Sequence, residues 1–390
     1  MGCPCCRGIG FSRREFLRAI AGGAGLAASG AFSLEGVGSL LSAAEAAAPS
    51  ETKRILDGII LEFAANKENP WALFHGVRAK GERFSVQGIS GFEYLCSRYL
   101  QEKSVNGKVY LAMPVEVEGH TNAFLSEAAL DAGITSSHPF RWHDRQRTVG
   151  DLVAGAKALF AFDPASFDRN DLAWSLIVFA HTTSPKQDTW VNANGKTVRF
   201  ADVVEFGMVT LEEASKHLMA AKQKGTMPAS KDWIHNFTCG GTHLIYGLMT
   251  CLRSGYRQNR FADRMKDQFD LLIWRLKADS FLMDHFFQEA MKQSPPDLVQ
   301  VHRSSAMLKF LGHASEVVQY AHLYQLFRPT PAQERGIRDG EEALATVIQG
   351  IGRVGVRKMA AGNKELLNLF VGDACHAYHG LWMKKGVNQA

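Results

Sequence analysis

The chain places a thiol and an imidazole four residues apart twice, as Cys239 with His243 and as Cys375 with His379. On an α-helix residues i and i+4 share a face, so each pair presents sulfur and nitrogen toward one point. Thiolate and imidazole are ligands that zinc favours, and two such pairs brought together make a tetrahedral S2N2 set. This spacing therefore suggests zinc as cofactor, with Cys239, His243, Cys375 and His379 as its ligands. The plainer alternative is a pair of small core cysteines beside hydrogen-bonded histidines.

A second group of residues is suited to moving protons. His243, His313, Glu316 and His120 are the candidate catalytic residues, because an imidazole beside a carboxylate supplies a general acid and a general base. His75 and Arg78, three apart and so on one helix face, join Glu127 and Trp142 as candidates for holding a substrate. A guanidinium grips anionic groups and an indole stacks on sugars, so the set suits lyase or hydrolase chemistry on an acidic sugar. The stretch from Ser136 to Arg145, which contains Trp142, is polar and aromatic with little helical rhythm, and it reads as a loop at the rim of a cavity. Neither a Gly-x-Ser-x-Gly elbow nor a His-Glu-x-x-His motif occurs, so serine-hydrolase and ordinary zinc-protease chemistry lose support.

Helices must position these groups, since apolar residues recur at helical spacing along most of the chain. Ile55, Ile59, Ile60, Phe63 and Ala64 mark one; Phe92, Leu95, Cys96, Tyr99 and Leu100 mark another. Leu152, Val153, Ala156, Leu159 and Phe160 mark a third, opened by Thr148 with Asp151 as an approximate capping box. Asp168 or Asn170 is placed to cap a run ending near His181. Further helices are expected over 200–222, 241–253, 261–291, 297–326, 332–359 and 364–384, and the stretches holding Gly312, Gly336 and Gly350 invite a break. Two short β excursions are expected, at Asn106-Gly107 and at Asn194-Gly195, both hairpin-turn pairs beside β-prone residues. No dinucleotide fingerprint, phosphate loop or alternation of strand and helix is present, which disfavours a doubly wound sheet.

About a dozen antiparallel helices can close as an α/α toroid of about six helical hairpins, in which inner-helix N-termini converge at one end. Cys239-Gly240-Gly241-Thr242-His243 and Gly312-His313-Ala314-Ser315-Glu316 stand at expected helix starts or breaks, and Gly372 to Gly380 lies in the last helix. Over roughly residues 70 to 385 the chain resembles helical-toroid proteins of the terpenoid cyclase and prenyltransferase type, and more narrowly exported bacterial proteins with CGGTH and GHxxE motifs. The resemblance implies an all-α toroid fold and no terpene chemistry, because the DxDD, DDxxD and QW elements are missing.

Ahead of this body stands Ser12-Arg13-Arg14-Glu15-Phe16-Leu17-Arg18, then a weakly apolar run from Ala19 to Phe32 broken by Gly22, Gly23, Gly25 and Gly30, then Ala-rich sequence before Pro49. The pattern resembles a twin-arginine (Tat) signal, which implies the Tat translocase and signal peptidase as export partners and a periplasmic or secreted protein. Residues 1–48 are read as the signal and 49–390 as a single domain. Cys3, Cys5 and Cys6 leave with the signal, while Cys96, Cys239, Cys251 and Cys375 remain, compatible with zero, one or two bridges. Without the signal the formal charge falls from +5 to +4, with no Lys/Arg stripe, so nucleic acid is not an expected partner. No later segment is apolar for long enough to span a membrane. The resulting expectation is an exported enzyme that works on an envelope or extracellular substrate, a small molecule or a glycan, by His/carboxylate acid-base chemistry in the toroid mouth. Its rival is a non-catalytic periplasmic binding or assembly protein that uses the same concave surface.

Overall fold

Prolines, and side chains that cap backbone N–H groups, set where the helices begin. In the computed structural model, which describes residues 49–383, α1 spans Pro49–Ile59 and runs on as a π-helical turn over Ile60–Ala64. Helix α2 spans Pro70–Lys80, with Pro70 in its first turn and the Asn69 side chain accepting from the Ala72 N–H. Then follow α3 at Gly91–Tyr99, α4 at Val115–Glu118, a π-helical segment at Phe124–Leu130, α5 at Val149–Leu159 and α6 at Leu172–Thr182. The second half holds α7 at Phe200–Gln223, α8 at Thr242–Arg253, α9 at Phe261–Met291, α10 at Pro296–Leu323, α11 at Pro331–Val354, α12 at Val356–Ala360 and α13 at Lys364–Trp382. Residues 1–48, expected to be an export signal, lie outside the described residues together with Cys3, Cys5 and Cys6. The chain is mostly helical, as expected, and none of its described helices is long and apolar enough to cross a membrane.

Burial separates two kinds of helix. Every residue of α6 from Leu172 to Ala180 is buried, as is every residue of α8 from Thr242 to Leu252 and of α2 from Trp71 to Ala79. A helix that is largely apolar around its circumference belongs inside. Helix α11 instead buries one stripe, Ile337, Gly340, Leu344, Ile348 and Ile351, and exposes its charged face. Contacts order the interior elements. Helix α2 packs on the π segment, the π segment on α6, α6 on α8, α8 on α10, α10 on α13, and α13 back on α2. The intervening helices α3, α5, α7, α9 and α11 each pack against at least one of these six.

The closest of these contacts is between α10 and α13, and glycine makes it possible. A Cβ built on Gly312 lies 3.2–3.3 Å from Ala377, and one on Gly380 meets the Ser315 hydroxyl and, at 2.7 Å, the Glu316 backbone nitrogen. Gly312 is thus a packing notch within a continuous helix, and the break expected there does not occur. Gly336 and Gly350 likewise lie inside α11, which ends one turn later at left-handed Gly355.

Among the described residues, four two-stranded antiparallel hairpins decorate this body. Two are the expected ones, β3 at Gln101–Val105 with β4 at Lys108–Ala112, and β7 at Thr189–Val191 with β8 at Thr197–Arg199. The others are β1 at Ser85–Val86 with β2 at Ile89–Ser90, and β5 at Pro139–Trp142 with β6 at Arg145–Thr148. The stretch expected as a rim loop is therefore a hairpin that turns inward. Phe140 and Trp142 are buried, and left-handed His143 makes the turn. The expected box at the start of α5 is present, Asp151 accepting the Thr148 N–H at 2.8 Å. All four cysteines in the described residues are buried, and none of them forms a disulfide there.

Candidate functional site

Each of the six interior elements sends polar side chains to one buried cluster. Helix α2 supplies His75 and Arg78, the π segment Glu127 with Asp131 just beyond it, α6 Trp174 and His181, α8 His243, α10 His313 and Glu316, and α13 Asp373, His376 and His379. His243, Trp174 and Glu127 stand in the first turns of α8, α6 and the π segment, while His75, Arg78, His313, Glu316, Asp373, His376 and His379 come from within their helices. The expected gathering of helix N-termini accounts for three of the six interior elements and not for α2, α10 or α13. The residues are core residues, with His243 5% exposed and His313 3%.

Glu316 is the hub. Its Oε1 accepts from Arg78 Nε at 3.0 Å and His379 Nδ1 at 2.7 Å, and its Oε2 accepts from His376 Nδ1 at 2.9 Å. Although burial opposes ionisation, Arg78 and His376, with the hydrogen bond from His379, hold the Glu316 carboxyl well below its usual range. Arg78 also reaches Asp131 at 3.2 Å and Glu127 at 3.6 Å, while its Nη2 is buried with no hydrogen-bond partner among the described residues. Glu127 accepts from Trp174 Nε1 at 2.8 Å. Burial raises its carboxyl to about 7, with Arg78 pulling the other way and Glu316 adding to the rise.

The imidazoles stack around this hub. His313 and His376 have ring centroids 3.8 Å apart, His243 and His313 4.6 Å, and His75 and His376 5.2 Å. Burial pushes both His243 and His376 well below the ordinary histidine range, and the neighbouring His313 adds to the effect on each. Both rings are neutral at physiological pH and can accept a proton or a metal ion. His313 Nε2 contacts Asp373 at 3.4 Å, and its Nδ1 is buried without a hydrogen-bond partner among the described residues.

The start of α8 needs a backbone that few residues tolerate. Cys239, Gly240 and Gly241 are all left-handed, with φ of 53°, 65° and 78°, which the two glycines adopt without strain and Cys239 does not. A second buried ion pair braces this kink. Arg275 donates to the Gly240 carbonyl at 3.0 Å and to Asp279 at 2.7 Å, and Asp279 lies 3.2 Å from His235.

Of the residues singled out by sequence, His243, His313, Glu316, Glu127, Arg78 and His75 converge directly. His120 joins at one remove, stacked on Trp174 at 3.7 Å with its Nδ1 2.9 Å from Asp171. Trp142 does not join. Its indole N–H donates to the Leu100 carbonyl, and its ring packs on His143. Nor do the four S2N2 residues come together as one group of ligands. Cys239, in the kink, does lie with His243 and His313, but Cys375 and His379 do not join them, and His379 donates to Glu316. Possible ligand atoms lie within 4.8 Å of one another in three groups: Cys239, His243 and His313; His75, Glu127 and His376; and His313, Glu316 and His376. Sequence reasoning passed over His376, Asp373, Asp131 and Trp174 as site members. The i,i+3 pair His376 and His379 was the available signal. No family model, curated protein or solved structure matches this chain.

A cavity of about 470 Å³ is lined by none of the cluster residues themselves but includes Asp171, the partner of His120. Leu100, Met113, Leu125, Phe160 and Phe167 line it, with Glu118 and Asp171 among its polar groups. Glu118 accepts the Asn122 and Phe124 N–H groups at 3.1 and 2.8 Å, yet burial raises its carboxyl from the ordinary 4.5 to about 8. A raised carboxyl stabilises the fold fully below 4.5, and the contribution is lost as pH rises through about 8. Glu118→Gln should therefore flatten the fall in stability across that window, as read by urea unfolding at a series of pH values; an unchanged slope would contradict the assignment.

Proposed function

We propose that the protein is an exported enzyme with an α/α-toroid body, whose reaction centre is the buried imidazole and carboxylate cluster inside the ring. The toroid reading is supported by the closed cycle of contacts from α2 through the π segment, α6, α8, α10 and α13 back to α2, taken in chain order and alternating with helices packed against it. What carries the enzyme reading is that all six interior elements contribute polar groups to one water-poor cluster. A structural core gains little from such a cluster, because apolar residues of the same volume serve stability as well or better. The imidazoles of His243 and His313 beside the Glu316 carboxylate form an acid-base set, and the shifted His243 imidazole and Glu316 carboxyl gathered in one place mark a reaction centre. The cavity that Asp171, the partner of His120, helps to line has the volume of a small-molecule site and a mainly apolar wall, which favours a small molecule over a glycan.

The test incubates the mature protein with a small-molecule extract of the cell envelope and follows it by mass spectrometry. One or more compounds should be consumed by the wild type and spared by His243→Asn. A compound retained unchanged by both would instead make this a binding protein. Export is tested separately. Arg13→Lys with Arg14→Lys should hold the precursor in the cytoplasm, because lysine lacks the planar guanidinium fork; normal periplasmic accumulation of the double variant would refute the Tat route.

A further inference from the structure

We propose that His75, His376 and Glu127 hold one divalent first-row transition-metal ion as a two-histidine, one-carboxylate set. The proposal rests on reading the cluster as a reaction centre and gives that centre its cofactor. Their ligand atoms lie within 4.8 Å of one another, so small side-chain shifts close them to the about 4.2 Å that a single ion with bonds of about 2.1 Å can span.

Hydrogen bonding selects this group from the three. A ligating histidine characteristically donates its second ring nitrogen to a carbonyl or carboxylate, which fixes tautomer and ring orientation. His75 donates Nδ1–H to the Trp71 carbonyl at 2.7 Å, and His376 donates Nδ1–H to Glu316 Oε2 at 2.9 Å. Both rings therefore present an Nε2 lone pair. Helix α2 fixes one ring and α13 the other, and the two helices pack directly together. Glu127 is oriented in the same way, its Oε1 taken by the Trp174 indole N–H at 2.8 Å.

The other two groups are less suitable. In the group of His313, Glu316 and His376, both Glu316 oxygens already accept strong donors, from Arg78, His379 and His376, so an ion there would have to break the bond joining two of its own ligands. In the group of Cys239, His243 and His313, the nearest carboxylate oxygen to the His243 Nδ1 is Glu127 Oε1 at 3.7 Å, too long to fix the tautomer. Arg78 is the one cation beside Glu127, and its Nε and Nη1 are directed at Glu316 and Asp131, which offset its charge. A two-histidine, one-carboxylate set leaves coordination positions open, as metal sites that activate water or dioxygen require. His243 and His313 stand beside it, with ring centroids 5.3 and 3.8 Å from that of His376.

The test is a titration of chelator-stripped mature protein with Co(II), followed by visible and near-ultraviolet absorption. The expected result is about one equivalent bound per chain, with d–d bands and no thiolate-to-cobalt charge-transfer band. His75→Ala and His376→Ala should weaken binding by more than about 100-fold, Glu316→Gln by about 10- to 100-fold as the orienting partner, and Cys239→Ala not at all. Absence of binding, a thiolate band, or a folded His75→Ala that binds like wild type would overturn the proposal. The wild-type spectrum alone separates the ligand sets if the ligand variants fail to fold. Binding is read without turnover, so failure to bind cobalt leaves the acid-base reading standing, and absence of turnover leaves the metal site standing.

Discussion

Arg78→Leu should destabilise the protein by about 3–5 kcal/mol, the loss seen when one partner is removed from a buried ionic group. Three carboxylates face this guanidinium, at 3.0, 3.2 and 3.6 Å, in surroundings that exclude water from its side chain entirely. Without it they must repel one another or take up protons. Burial already raises Glu127 to about 7 with Arg78 present, and losing the counter-charge raises it further. The variant's deficit should accordingly grow as pH rises above about 7 and shrink in mild acid, which chemical unfolding across pH reads directly. A constant deficit would mean that lost packing, not lost charge, accounts for the effect.

Glu316→Gln should have a comparable effect whose pH dependence has the same sign but falls at lower pH. An amide keeps the shape, but its single carbonyl oxygen cannot accept from Arg78, His376 and His379 together. The expected loss is again about 3–5 kcal/mol at neutral pH. Glu316 is held well below 4.5, so its contribution is present above 4.5 and disappears as pH falls through the folded value. Wild type and variant should therefore converge in acid. Because Arg78 and Glu316 are in direct contact, the double variant Arg78→Leu with Glu316→Gln should cost less than the sum of the two singles, and the cycle measures their coupling.

Helices were readable because their apolar spacing and stop signals are local. The stretch 261–291 was expected from periodicity and is helix α9, Phe261–Met291, and the Thr148 box opens α5 as its spacing indicated. Gly312 shows what local reading cannot supply. A glycine that lets two helices touch and a glycine that ends one look the same until Ala377 of α13 is known to lie against it. The site divides along the same line. His75, Arg78, Glu127, His243, His313 and Glu316 were visible as chemistry by residue type. His376 and Asp373 were not, because α13 is buried along most of its length and only its contact with α10 shows which side chains meet Glu316. Cys239 and His243 do bring their ligand atoms within 4.8 Å, but across a left-handed kink and not along the helix their spacing suggested, a geometry that Gly240 and Gly241 permit without announcing it.

The central claim is that this cluster is kept for chemistry and not for stability, and His243 is the member that separates the two. It is buried, its closest carboxylate contact is 3.7 Å, and its ring is neutral, so leucine fills the space without leaving a charge unpaired. Measured side by side, urea unfolding and product formation by His243→Leu give the decision. The account predicts stability within about 1 kcal/mol of wild type, or above it, with turnover reduced by about 100-fold or more. A variant that loses several kcal/mol while retaining wild-type turnover would show that the cluster is a structural network and that the reaction centre lies elsewhere.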